Sequence, residues 1–316
     1  MLSASDVQQR ILERIAPLDA LELSITDAHG CVLAETVTAP EDLPPHPSAA
    51  TDGFAIRSAD TGNAVSTPVS LTIIGEAAAG RPFAARVTHG EAVRISSGAS
   101  LPDGTDAIVH RDDVAVVGSS MAIGKSIASN TGVRPAGEDV AKGDPVMQEG
   151  QRVRGMDVGV LAALGRSRAL VRPRPRAVVI SISDQLGDGG DGGPNAYAMA
   201  GMAREAGAEP ARGGSVPADP DVLHEKFQSY LAQADVFITS GGTGEDEGSV
   251  IRRVAGKLED IDLWNVSARP EMTIGFGRVQ GRTFFALPDN AVAAAVAFEL
   301  FVRPAILKVA GRRTLH

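Results

Sequence analysis

From residue 177 onward, strand-sized apolar runs alternate with helix-length segments, and this alternation constrains the fold more than any other feature of the chain. Residues 177–182 and 236–239 are nearly uninterrupted β-branched, aromatic or small apolar residues, the pattern of strands buried on both faces of a parallel sheet. Helices are predicted over 195–206, 220–234 and 250–258 and from Asn290 to about Lys308, with further strands near 262–266 and 283–287. Such alternation predicts a doubly wound α/β domain, in which ligands bind beyond the C-terminal ends of the strands. Three loops meet that condition: 183–194, 240–249 and 288–290.

The middle loop is the most informative. Ser240, Gly241, Gly242 and Gly244 allow positive φ and close backbone approach, with N–H groups available to an anion. Glu245, Asp246 and Glu247 follow at once and would repel a bare phosphate unless a divalent cation lay between, which points to magnesium. An ordinary glycine-rich turn at a strand end accounts for the same residues, because neither a Walker sequence nor GxGxxG is present.

At 316 residues the chain is long enough for two or more domains. The apolar stretches are strand-sized and the first ten residues are polar, so neither a membrane span nor a signal peptide is expected, and the location expected is cytoplasmic. Cys31 is the single cysteine, which excludes an internal disulfide, and its neighbours Val32 and Leu33 favour a buried structural thiol. A net charge of −9 argues against a nucleic-acid surface.

Before residue 177 the pattern is different. Residues 3–17 form an amphipathic helix with Val7, Ile11, Leu12 and Ile15 on one stripe and Ser3 or Ser5 as N-cap. Short strands at 21–25 and 31–34 are followed by a stiff connector with four prolines in residues 40–47. Asp52-Gly53 then precedes a strand, where the carboxylate faces a cleft or the pair is simply a turn. Residues 65–125 are strand-rich, 134–139 is a loop carrying Glu138 and Asp139, and a short helix over 155–164 ends at Gly165. The proline-stiffened segment 171–176 marks a domain boundary.

Six ordered motifs carry a resemblance that spans nearly the whole chain. Thr51-Asp-Gly-Phe-Ala55, Arg94-Ile-Ser-Ser-Gly-Ala99, Gly137-Glu-Asp139, Ser181-Ile-Ser-Asp-Gln-Leu186, Ile238-Thr-Ser-Gly-Gly242 and Leu287-Pro-Asp-Asn290 resemble the MoeA and gephyrin E-domain family in order and spacing. The resemblance implies an elongated subdomain from residues 1–47 and 136–176, a β-rich insertion at 48–135, and a MogA-like, doubly wound α/β subdomain at 177–316. It implies a homodimer whose cleft joins one subunit's α/β subdomain to the other's N-terminal region. The implied activity is molybdopterin molybdenumtransferase: molybdate enters adenylylated molybdopterin with Mg2+, and AMP is released. Carried over by motif, Asp52, Asp139, Asp184 and Gln185 are catalytic positions. Ser97, Ser240, Gly241, Gly242, Arg269, Pro270, Pro288 and Asn290 hold substrate, and Asp184, Asp246 and Glu247 hold metal.

The chain departs from the family pattern at several of these points. Gln185 stands for a Glu and Ser183 for a Gly, Ser249 for a carboxylate, and Ala218 for another acid. Glu271 and Asp289 replace glycines, and Met272 replaces a lysine. An amide neither accepts a proton nor adds charge to a metal site, and an acid at a phosphate loop adds repulsion and a Cβ. The sequence stops soon after Gly311, before the C-terminal β subdomain the family usually carries, whether through a natural end or through trimming. These departures favour a gephyrin-like dimeric scaffold with an eroded catalytic site, binding the cytoplasmic tail of a membrane receptor or a tubulin-like division protein. The alternative is an active molybdopterin molybdenumtransferase.

Overall fold

The computed structural model describes residues 1–183, 193–244, 249–255 and 258–315. The chain forms two compact units, Met1–Thr36 with Gln148–His316, and Val37–Met147.

The first unit is built on a seven-stranded sheet. Its order is Leu2–Ser3, Glu259–Ser267, Met272–Val279, Arg282–Leu287, Val236–Ser240, Arg176–Ile182 and Glu209–Val216. The last four are mutually parallel, and Met272–Val279 runs antiparallel to both of its neighbours. Val236–Ser240 is buried along its whole length, as its apolar run requires in a sheet covered on both faces. The helices Ala4–Glu13, Gly193–Glu205, Ala291–Ala297 and Arg303–Val309 contribute to the core on one face. The helices Pro220–Tyr230 and Val250–Val254 contribute to the other, where Phe227 meets Phe237 and Phe284 edge-on at 5.1 and 5.4 Å. This is the expected doubly wound α/β fold. Strand order reverses between Arg176–Ile182 and Val236–Ser240, so the ends of those two strands bound a crevice.

Differences from the sequence reading have local causes. The first helix spans Ala4–Glu13, with the Ser3 hydroxyl accepting from Asp6 N–H at 3.1 Å. Leu21–Ser24 and Val32–Leu33 do not pair with each other. Both pair antiparallel with Arg168–Arg172, a strand that runs into the segment 171–176 read from sequence as boundary. The last helix is interrupted by a π-helical turn, Phe298–Val302, because Pro304 has no N–H for the carbonyl four residues earlier. Cys31 is buried as expected, and burial pushes its thiol pKa up.

The second unit carries a six-stranded sheet of order Val114–Val117, Ser120–Ile123, Val69–Ala77, Glu91–Ile95, Gly53–Ile56 and Ala107–His110. Phe54, Ile56, Leu71, Val109 and Met121 fill one core, and Ala55, Val93, Ile95 and Ile108 another. The strand-rich character expected of this region is therefore real. No helix among the described residues is long and apolar enough to cross a membrane.

Candidate functional site

Parallel pairing aligns Ser181, Ser240 and Leu287 at one level of the sheet. Beyond it lies a cleft of about 480 Å³, lined by Gly242–Gly244, Pro270–Thr273, Pro288–Asn290 and Ala293. That volume falls in the range of sites for small organic ligands.

The floor is held by backbone geometry that only glycine meets comfortably. Gly241 has φ +93° and donates its N–H to the Leu287 carbonyl at 2.9 Å. A Cβ at Gly241 would sit 2.5 Å from the Ile182 carbonyl oxygen, and one at Gly242 would sit 2.5 Å from Val250 Cγ1. The loop closes through Ser249, whose hydroxyl donates to the Gly242 carbonyl at 2.6 Å. Ser249 is thus a loop clasp, whatever residue type relatives carry there. The N–H groups of Gly242, Thr243 and Gly244 have no partner among the described residues.

Asn195 joins two of the loops. Its side-chain amide donates to Ser240 Oγ at 3.0 Å and to the Asp289 carbonyl at 2.6 Å. Asn290 caps the next helix, its Oδ1 accepting from the N–H groups of Val292 and Ala293 at 3.0 Å each. The cleft thereby gains a fixed wall. Arg269-Pro270 is a cis peptide at its rim, and Arg269 itself is exposed. Ser240 is only 2 % exposed and its hydroxyl faces Asn195, so it belongs to the framework beneath the cleft. Glu271 and Asp289 are exposed carboxylates on the wall. Met272 is 6 % exposed and packs in the core, and a lysine there would lose its hydration.

In the second unit, the structure brings together two of the residues singled out from sequence. Asp52 Oδ1 accepts from Ser97 N–H at 2.8 Å, and Ser97 Oγ reaches the Ala50 carbonyl at 3.3 Å. Asp139 is exposed and accepts from Arg134 Nη2 at 2.6 Å, while Arg134 Nε bonds Glu138 at 2.6 Å. These pairings hold the Arg134 pKa up.

Asp184, Gln185, Asp246 and Glu247 lie outside the described residues. Among the described residues no three Asp, Glu, His or Cys side chains converge as a cation would require. The described part of the cleft therefore does not by itself fit magnesium. Sequence reasoning missed Asn195, Thr243 and Thr273. Asn195 opens a helix directly after a glycine-rich loop, a position from which an amide reaches neighbouring strand ends, and that was its only sequence signal.

Two family models together match most of the chain. Residues 2–165 match the MoeA N-terminal region (domain I and II), and residues 178–308 match a probable molybdopterin binding domain. A Mycobacterium tuberculosis protein named molybdopterin molybdenumtransferase 1 is 32% identical over 99% of this chain and 79% of its own length. A Haemophilus influenzae protein named molybdopterin molybdenumtransferase is 27% identical over the same shares of the two chains. The crystal structure of a molybdopterin biosynthesis MoeA protein from Pyrococcus horikosii superposes with a TM-score of 0.84 at 27% identity, covering 99% of this chain and 81% of that one.

Proposed function

The chain belongs to the MoeA family, and from that premise we propose that it acts as a molybdopterin molybdenumtransferase, inserting molybdate into adenylylated molybdopterin and releasing AMP. The cleft at the ends of the parallel strands carries this reading. It lies within the part of the chain similar to a molybdopterin binding domain, and its glycine loop offers backbone N–H groups to a phosphate. Asn195, Ser249 and Asn290 hold the three walls in one arrangement, so ligand contacts are set before binding and little ordering remains to be done. In this reading Asp52, oriented by Ser97 N–H, and Asp139 are the carboxylates of the N-terminal region, and a homodimer supplies them to the cleft.

The relatives named above carry transferase or biosynthesis names, and this supports transfer over the scaffold role that the sequence departures favoured. A protein tail as partner finds no support in them. Single-turnover AMP release from adenylylated molybdopterin tests the reading. Release that depends on added molybdate is expected. Tight ligand binding with no AMP formed would overturn it and restore the scaffold.

A further inference from the structure

We propose that the pocket where the helices Gly193–Glu205 and Arg303–Val309 both end is a binding site for a tetrahedral oxyanion, free or carried on a small phosphorylated molecule. The pocket measures about 190 Å³ and presents three guanidinium groups, Arg152, Arg303 and Arg312, against one carboxylate, Glu205. In a chain with a net charge of −9, such a concentration of positive charge stands out.

The three arginines differ in their partners. Arg303 is paired: Glu299 takes it at 2.5 and 2.8 Å and Glu205 approaches at 3.6 Å, which fixes the direction of its fork. Nearby, Arg172 and Arg313 share Glu149 at 3.9 and 3.6 Å. Arg152 and Arg312 have no ion pair or side-chain hydrogen bond among the described residues. Their backbones are fixed, Arg152 by a bridge to Val32 and Arg312 by its N–H to the Leu307 carbonyl at 2.9 Å.

Cations are favourable at helix C-termini, where arginines can serve as caps. Backbone groups already close both ends. Gly207, at φ +95°, donates to the Arg204 carbonyl at 3.0 Å, and Ala208 donates to the Ala203 carbonyl at 2.9 Å. Gly311, at φ +81°, donates to the Lys308 carbonyl at 2.9 Å, beside the Arg312 bond to Leu307. Each helix ends in a glycine turn that satisfies its own carbonyls, leaving the guanidinium groups without that task. Arg152 and Arg312 line one small pocket and carry no ion pair of their own among the described residues, and the paired N–H groups of a guanidinium fork suit the oxygens of an oxyanion.

The site is separate from the cleft. Gly193–Glu205 begins beside the cleft at Asn195 and ends at the pocket, and 13 residues of helix span about 20 Å.

Titration of the full chain with sodium phosphate and with sulfate, at ionic strength held constant with chloride, tests the proposal by calorimetry and thermal shift. Saturable binding is expected, weakened roughly ten-fold or more in Arg152→Gln/Arg312→Gln. Arg152 is exposed, so Arg152→Gln alone replaces the double variant if the latter does not fold, with the same direction expected. Ribose 5-phosphate distinguishes the two sources: tighter binding than inorganic phosphate identifies a phosphorylated ligand, and equal binding identifies the free ion. A response no different from chloride, or full binding retained in the arginine variants, would overturn the proposal.

Discussion

Gln8 Nε2 donates to the Leu300 carbonyl at 2.7 Å. In an unbroken α-helix that carbonyl would meet the N–H of residue 304, which is proline. A side chain 292 positions away in sequence therefore satisfies the group that the π-turn leaves open. Replacing Gln8 by Leu should cost about 1–2 kcal/mol, because an acceptor is left without a partner in a half-buried setting. Urea unfolding would show it as a lower midpoint with unchanged slope. Lys308 Nζ on the Leu12 carbonyl, at 2.5 Å, ties the same two helices and limits the loss.

Asn195 should show a different signature. Asn195→Asp keeps the shape but loses the donor, and it sets a carboxylate against the Asp289 carbonyl and Ser240 Oγ. Ligand affinity should fall by roughly ten-fold, while stability changes by only about 1 kcal/mol. Calorimetric binding and thermal melts on the same samples separate the two effects.

Gly241→Ala should be the most disruptive single change in the cleft. The added Cβ meets a backbone oxygen at 2.5 Å, and the residue sits at φ +93°, so both sterics and strain oppose it. A loss of about 2 kcal/mol or more is expected. Circular dichroism on heating would reveal it, and a melt within experimental error of the parent would contradict the loop geometry.

Three of the four parallel strands were legible in the sequence because burial on both faces removes polar residues, as Val236–Ser240 shows directly, whereas the half-exposed edge strand Glu209–Val216 was not. Met272–Val279 was not legible. Gly275 and Gly277 read as strand breakers, yet a Cβ at Gly277 would lie 2.5 Å from Ile261 Cδ1, and one at Gly275 only 3.0 Å from Ala286 Cβ. Those glycines admit neighbouring strands to close contact, a tertiary demand that propensity does not express. The cleft was legible where it depends on one loop, as at Gly242 and Asn290. Asn195 was not, since its value lies in reaching Ser240 and Asp289 at once. The clasp between Ser249 and Gly242 likewise turns an apparent loss of charge into a structural bond.

Asp235 supplies a pH dependence whose sign follows from its surroundings. Its side chain is 8 % exposed and accepts from Arg176 N–H at 2.9 Å, Nε at 3.1 Å and Nη2 at 2.9 Å. Burial alone would push the carboxyl up, but the Arg176 hydrogen bonds outweigh it and hold the pKa below the usual carboxylate range. An acid with a lowered folded pKa contributes stability above its unfolded value near 3.9 and loses it as pH falls through the folded value. Asp235→Asn should therefore cost about 2 kcal/mol at pH 7, with the difference from the parent shrinking below about pH 4. Urea melts at pH 7 and pH 3 check the convergence.

Glu271 and Asp289 decide how the cleft treats an anionic ligand. Both are exposed on its wall, facing the same space as the glycine loop. A unit charge 4 Å from a phosphate costs about 4 kcal/mol at an effective dielectric near 20, and only about 1 kcal/mol in bulk water. Their exposure places the effect nearer the lower figure, so the pair should weaken binding by roughly ten-fold or somewhat more. Glu271→Gln/Asp289→Asn keeps both shapes and removes both charges, and it avoids the buried ammonium that Met272→Lys would create. Adenylylated molybdopterin should bind the double variant more tightly. Salt gives an independent reading: repulsion is screened as ionic strength rises, so the parent's affinity should hold or improve with salt, while that of the neutralised variant should fall. Calorimetry at two ionic strengths measures both quantities. Equal affinities with parallel salt slopes would mean that the two carboxylates point away from the bound phosphate, and that Gly242–Gly244 hold it out of their reach.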